Sequence, residues 1–178
     1  MNEQYSQQER LRQRGAALLE LAILMPVLVV LLFGLVELGR ALLQANTLNK
    51  AVTTGVRYVA RAPDAVARTT DSNGNVTACA TGSTWSTVIA QAELLIENDN
   101  AGAGSEILAD LEATFSTPRF ETRTISLPGG GSQTVSTCVV AVQAEAPFAA
   151  ILGDSLVPFF QVGPITLNAQ AEERYIGE

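Results

Sequence analysis

An α+β fold, with a long N-terminal helix packed on a small antiparallel β-sheet, follows from three observations. An apolar run of membrane length, Ala16 to Val36, opens the chain. Apolar residues at helical spacing follow it without a break as far as Pro63. After about Leu111 the pattern turns to runs rich in Thr, Val, Ile and Phe, separated by turn residues. A helix and a sheet each have one face to bury, so the two are expected to cover each other.

As a helix, the apolar run rises roughly 32 Å, against a hydrocarbon core of about 30 Å. Leu, Val and Ile dominate it, and its one carboxylate is Glu20. Pro26 removes a backbone hydrogen bond and is expected to kink the helix, which a membrane helix tolerates when neighbours satisfy the freed carbonyl. Arg10, Arg12 and Arg14 crowd the N-terminal flank, whereas the far flank offers Arg40, beside Glu37, and Lys50. The positive-inside rule therefore puts the N-terminus in the cytoplasm and the residues after about Gly39 outside. Met1 to Gln13 is polar and too short to fold, and reads as a leader within a segment 1–15. A soluble secreted protein would need a small-residue cleavage site after the run. Gly34 and Gly39 are poor candidates amid large neighbours.

The helix is expected to continue past the membrane. Leu38, Leu42, Ala45, Leu48, Val52, Val56 and Val59 recur at spacings of three or four, and Glu37 can pair with Arg40 one turn on. Pro63 ends the element, giving one helix of roughly 70 Å from about Ala16 to Ala62. Residues 16–37 are its transmembrane half and 38–62 its amphipathic half. Residues 63–178 form an extracytoplasmic α+β domain.

Within that domain, Arg68 to Ser83 is rich in Thr, Ser, Gly, Asn and Asp and reads as an exposed loop. Ser83 or Thr84 can cap a short helix from Trp85 to Asn98, with Val88, Ile89, Ala92, Leu95 and Ile96 on one side. Trp85 reads as a core residue. Asn98 to Ser105 is a break. Leu111 to Ser116 suits a short strand, although Ser105 to Leu111 is equally compatible with helix. Arg119 to Leu127 and Gln133 to Glu145 form a hairpin around Pro128-Gly129-Gly130-Gly131. Ala146 to Pro164 is an apolar connection containing Phe148, Ile151, Phe159 and Phe160. It holds either a short helix or a segment under the sheet. Ile165, Leu167, Ala169 and Ala171 alternate with polar residues in a closing strand, and Glu172-Glu173-Arg174 reads as its solvated end.

Composition excludes several functions. The chain carries a net charge of −7, and its basic residues beyond Gly39 form no patch, so nucleic-acid binding is not expected. It has no histidine, which removes the commonest general base and most zinc or copper sites. No serine has a plausible base and no carboxylate pair has an identifiable reactive arrangement, so the chain reads as a non-enzyme without cofactor. Asp71-Ser72-Asn73-Gly74-Asn75 resembles the start of a calcium loop, but its glycine comes too early and its twelfth position is Gly82, not Glu. A polar turn is the better reading. Asn75-Val76-Thr77 has the form of a glycosylation sequon. Gly34 and Gly39 are one residue too far apart for the close-packing dimer motif. The only cysteines are Cys79 and Cys138. In an exported domain an even pair favours a disulfide, worth roughly 4 kcal/mol for so long a loop. The bland alternative is two unrelated small buried residues.

Arg14-Gly15-Ala16-Ala17-Leu18-Leu19-Glu20, the apolar run with Pro26, and Phe33-Gly34-Leu35-Val36-Glu37-Leu38-Gly39-Arg40 together resemble the TadE-like proteins of the tight-adherence (Tad, or Flp) pilus system. Gly55-Val56-Arg57-Tyr58-Val59-Ala60-Arg61 continues the resemblance, which is good over residues 14–62 and loose afterwards. The strand from Ile165 to Glu173 looks like the C-terminal strand common in that family. The resemblance implies a pilin-like fold and a minor pseudopilin held in the bacterial inner membrane. It implies cleavage by a prepilin peptidase between Gly15 and Ala16, with Glu20 as the fifth mature residue, and partners among other pilin or pseudopilin subunits and the assembly platform. Major Flp pilins are very short and often carry Tyr after this glutamate. Here Leu21 and a long ectodomain follow, so this is not the main fibre subunit.

Physics supplies an independent reason for Glu20. A carboxylate within a membrane helix costs roughly 2.5–3.5 kcal/mol at the centre, and less near an interface. Cleavage before Ala16 creates a positive amine one turn away, so a neighbour's amine could pair with Glu20 and fix axial register. The plainer reading leaves Glu20 at headgroup level. A competing function is an unprocessed single-pass anchor whose ectodomain binds a ligand or envelope partner.

Overall fold

The computed structural model describes residues 2–98, 108–126, 128–148 and 165–177, and for residues 2–17 the helical backbone alone. The chain divides into two compact units: Met1–Ala41 with Ala150–Pro164, and Leu42–Ala149 with Ile165–Glu178. The expected break at Asn98 to Ser105 and most of the apolar connection, including Ile151, Phe159 and Phe160, lie outside the described residues.

The first helix, α1, runs Asn2–Arg61 and contributes to both units. It starts well before Ala16, which corrects the expected start of the helix at about that residue. The residues from Glu3 to Arg14 are mostly Gln, Glu, Arg and Leu, all good helix formers. Extending a helix that already exists adds one hydrogen bond per residue without the cost of nucleation. In the first unit, large apolar side chains from Leu18 to Leu38 are 43–71% exposed, with Val30 half-buried.

In the second unit the last four turns of α1 lie over a sheet. The buried stripe is Leu48, Ala51, Val52, Val56, Val59 and Ala60. Leu38 and Leu42, expected to begin that stripe, are exposed. At 100° per residue, the six residues from Leu42 to Leu48 turn the helix so that the two leucines face directions roughly 120° apart. Ala45, half-buried, marks the transition.

Residues 66–81 form a hairpin where a loop was expected: β1 (Val66–Thr70) pairs antiparallel with β2 (Val76–Thr81). Its side chains are mostly exposed, so it shows none of the apolar alternation by which strands are recognised. The β-branched Val and Thr residues suit it to extended backbone.

Helix α2 spans Trp85–Asn98, as the spacing predicts, and buries Val88, Ala92 and Ile96. Thr84 does not cap it through its side chain. Its carbonyl accepts from Val88 N, while its hydroxyl donates to the Pro63 carbonyl oxygen at 2.8 Å. That bond ties the start of α2 to the end of α1. The two helices also touch at Gly55, where a Cβ would fall 2.5 Å from the Ile96 side chain.

The main sheet centres on β5 (Ser132–Pro147). Strand β4 (Arg119–Ser126) pairs with its first half across the turn, where Gly129 and Gly130 take positive φ. Strand β3 (Glu112–Phe115) pairs with Val142 to Glu145, so the strand reading of that segment holds. Strand β6 (Thr166–Arg174) pairs with Val139 to Pro147. Strands β3 and β6 share partners on β5 and so occupy opposite edges, and β4 and β6 share Val139 in the same way. Strands β3 and β4 therefore follow one another along one edge, slipped by a residue around the buried Pro118, which cannot donate to the ladder.

Alternate residues of β5, from Cys138 through Val140, Val142 and Ala144 to Ala146, are buried in one core with α1, α2 and Ala169 of β6. The far end of the β4–β5 hairpin carries no core residue, and Ile125 there is exposed; Phe120, opposite Cys138, is exposed too.

Candidate processing and assembly site

Gly15 and Ala16 lie within α1 on uninterrupted helical backbone. Glu20, one turn further on, is exposed, and the apolar side chains around it are exposed too. The structure therefore leaves its carboxylate on an open helix surface in the isolated chain. Among the described residues, α1 is the one helix long and apolar enough to cross a membrane. Its best window has a mean hydropathy of 2.7 and none of it is buried.

Glu37, further along the same helix, behaves oppositely to Glu20. Glu37 is 1% exposed and sits 4.0 Å from the Arg40 guanidinium, in the pairing that their spacing predicts. What spacing could not show is the burial. Glu37 shares a covered side of α1 with Val30 and Gly34.

The second unit carries three devices that fasten its elements to one another. Cys79 of β2 and Cys138 of β5 are bonded, with Cα atoms 5.8 Å apart. The bond ties the exposed hairpin to the centre of the sheet. The tail after β6 clasps the end of α1: the buried Tyr175 hydroxyl donates to the Ala62 carbonyl at 2.9 Å. The amides of Ile176 and Gly177 both donate to the Ala60 carbonyl. A helix end leaves carbonyls without partners, and here the tail satisfies them. Arg68 lies over the Tyr175 ring, 5.4 Å from its centroid, and donates to the Gly177 carbonyl at 2.9 Å. The third device is a pair of surface ion pairs at the strand end, whose glutamates stay solvated, as expected. Glu172 binds Arg119 of β4, and Glu173 lies 3.9 Å from Arg57 of α1. Sequence reasoning missed this clasp. Its one local signal was an aromatic residue just past a strand end, and its partners lie more than a hundred residues away.

The acidic turn uses its own carboxylate. Asp71 accepts from the amides of Asn73 and Asn75 and from the Asn75 side chain, at 2.8–3.1 Å. The Asn75 side-chain bond, followed by these backbone bonds, holds its carboxyl below the usual aspartate range. Among the described residues no cluster of three His, Cys, Asp or Glu could hold a metal ion. Burial, with the like charge of Glu97 one turn away, pushes the Glu93 carboxyl up. A cavity of about 780 Å³ lies between α1 and α2, lined by Arg57, Tyr58, Arg61, Thr84 and Leu95. It contains no nucleophile–base pair.

Comparison with known proteins singles out the N-terminal helix. Residues 15–57 match the family model described as TadE-like protein. No curated protein and no solved structure matches the chain. The match begins at Gly15 and ends within the buried stripe of α1, so this segment is TadE-like, consistent with a TadE-like protein of the Tad pilus system.

Proposed function

We propose that the chain is a minor pseudopilin of a tight-adherence, type IV-like pilus. A prepilin peptidase cuts it after Gly15 and it assembles through its N-terminal helix. It is a structural subunit and not an enzyme. The observation that carries this reading is the juxtaposition at the start of the family match: a small residue, Gly15, five positions before the exposed Glu20 at the head of an uncovered apolar helix. Three arginines before Gly15 favour a cytoplasmic leader, with the helix spanning the inner membrane and the second unit outside. Disulfide formation between Cys79 and Cys138 fits an oxidising, extracytoplasmic compartment. After cleavage, the amine of Ala16 on one subunit pairs with Glu20 of a neighbour and sets the axial register. Partners are the peptidase, other pilin or pseudopilin subunits and the assembly platform.

Piliation in a strain carrying a Glu20→Ala variant tests the assembly role. The variant is expected to insert and be clipped normally while piliation falls. Normal piliation would count against the register role. The alternative, an unprocessed anchor with a ligand-binding ectodomain, requires full function when residues 16–37 are exchanged for an unrelated membrane helix.

A further inference from the structure

The uncovered side of α1 carries a regular pattern that lipid contact does not require. Leucines occupy positions 21, 24, 28, 31, 35 and 38, alternating spacings of three and four. All six are 49–71% exposed. Written as a heptad, Leu21, Leu28 and Leu35 are a positions, and Leu24, Leu31 and Leu38 are d positions. Of the twelve other residues in that stretch, only Leu32 is leucine; the rest mix Ile, Val, Ala, Met, Phe, Gly, Pro and Glu. A lipid-facing surface needs apolar side chains but no preferred residue at a period of 3.5. A helix seam needs both, because a repeat of 3.5 keeps one stripe facing a partner through a left-handed supercoil.

We propose that this leucine seam is a parallel contact between two copies of the chain within the membrane. The inference rests on the membrane-spanning reading of residues 16–37. Two copies of one chain insert with the same orientation, so their helices run parallel and each leucine meets its equivalent at the same depth. The seam is thus self-complementary, as a two-fold contact demands. From Leu21 to Leu38 it extends roughly 27 Å, most of the hydrocarbon thickness of about 30 Å.

The remaining residues are placed to leave the seam free. Pro26 falls at an f position, on the far side of the helix, so its missing hydrogen bond and any bend lie away from the contact. The covered side of this unit, with Val30, Gly34 and Glu37, occupies c and g positions and does not overlap the a and d stripe. Gly39 is at an e position beside the end of the seam. A Cβ there would meet nothing within 4 Å, so the chain's own packing does not account for a glycine that weakens the helix. A closely approaching second helix does. Glu20, at a g position, stands at the rim of the seam, where its carboxylate stays accessible to the amine of a further subunit.

Cysteine cross-linking in membrane vesicles containing the full chain tests the contact. Single variants L24C, L28C, L31C and L35C on the seam are compared with I23C, V29C, F33C and V36C off it. Oxidation is expected to give a band of twice the chain's mass for the seam variants, with loss of that band for the others. Equal cross-linking at all positions, a maximum on another face, no cross-linking, or an adduct only with a different protein overturns the second-copy contact. In each of those cases recovery of the chain in the membrane fraction leaves the spanning reading standing. A chain absent from that fraction overturns both.

Discussion

The two halves of α1 both carry large apolar side chains but meet opposite surroundings. From Leu18 to Leu38 the large apolar side chains are 43–71% exposed, whereas from Leu48 to Ala62 the inward ones are at most 8% exposed. The difference lies in the amount of apolar residue and in its distribution. The first half is apolar all round, so a sheet on one side could not bury it, and only lipid or other helices can. The second half confines its apolar residues to one stripe and places Asn49, Lys50, Arg57 and Arg61 elsewhere, which suits it to the chain's own sheet. The amount of apolar residue and its angular pattern together tell the membrane-length half from the core half.

The contrast can be broken most sharply by one substitution in each half. Val56→Asp places a carboxylate in the core and is expected to cost about 3–5 kcal/mol, since the charge finds no partner there. Urea unfolding of the full chain in detergent, followed through Trp85, reads the loss. Val36→Ala, made in the exposed half and off the leucine seam, is expected to shift the same transition by no more than about 0.5 kcal/mol. An equal loss for both would show that the halves are not energetically separate.

Reduction of the Cys79–Cys138 bond is the next largest effect expected. It should lower the urea midpoint by an amount equivalent to about 2–4 kcal/mol, chiefly because the unfolded chain gains freedom. Because β1 and β2 bury little, the bond is the main tie between that hairpin and the sheet. Amide exchange should therefore rise first in residues 66–81, and an unchanged hairpin would show that it holds by its own pairing.

Tyr175→Phe should cost about 1 kcal/mol, the worth of one buried hydrogen bond to the end of α1. Increased amide exchange confined to the last turn of α1 would locate the loss. A change spread evenly over the second unit would argue against a local clasp.

Elements with strong periodicity were legible from sequence. Helix α2, the β4–β5 hairpin and β6 lie close to where spacing and turn residues place them, because α2, β5 and β6 alternate buried and exposed positions and the Pro128–Gly131 turn sets the hairpin. The β1–β2 hairpin was not legible, since its side chains are mostly exposed and its composition is that of a loop. The stripe on α1 was misjudged at Leu38 and Leu42 because spacings of three and four can drift around a helix. The clasp by Tyr175, Arg68 and Gly177 depends on contacts more than a hundred residues apart. At the candidate site, Gly15, Ala16 and Glu20 stood out because one charge and one glycine interrupt an apolar pattern. The burial of Glu37 did not, because local spacing reveals a partner for a charge but not its surroundings.

The most direct test is the intact mass of the chain recovered from native membranes. The pseudopilin account predicts a mature protein that begins at Ala16, with Met1 to Gly15 removed only where the prepilin peptidase is present. A chain that keeps Met1 to Gly15 in a strain with active peptidase would contradict it.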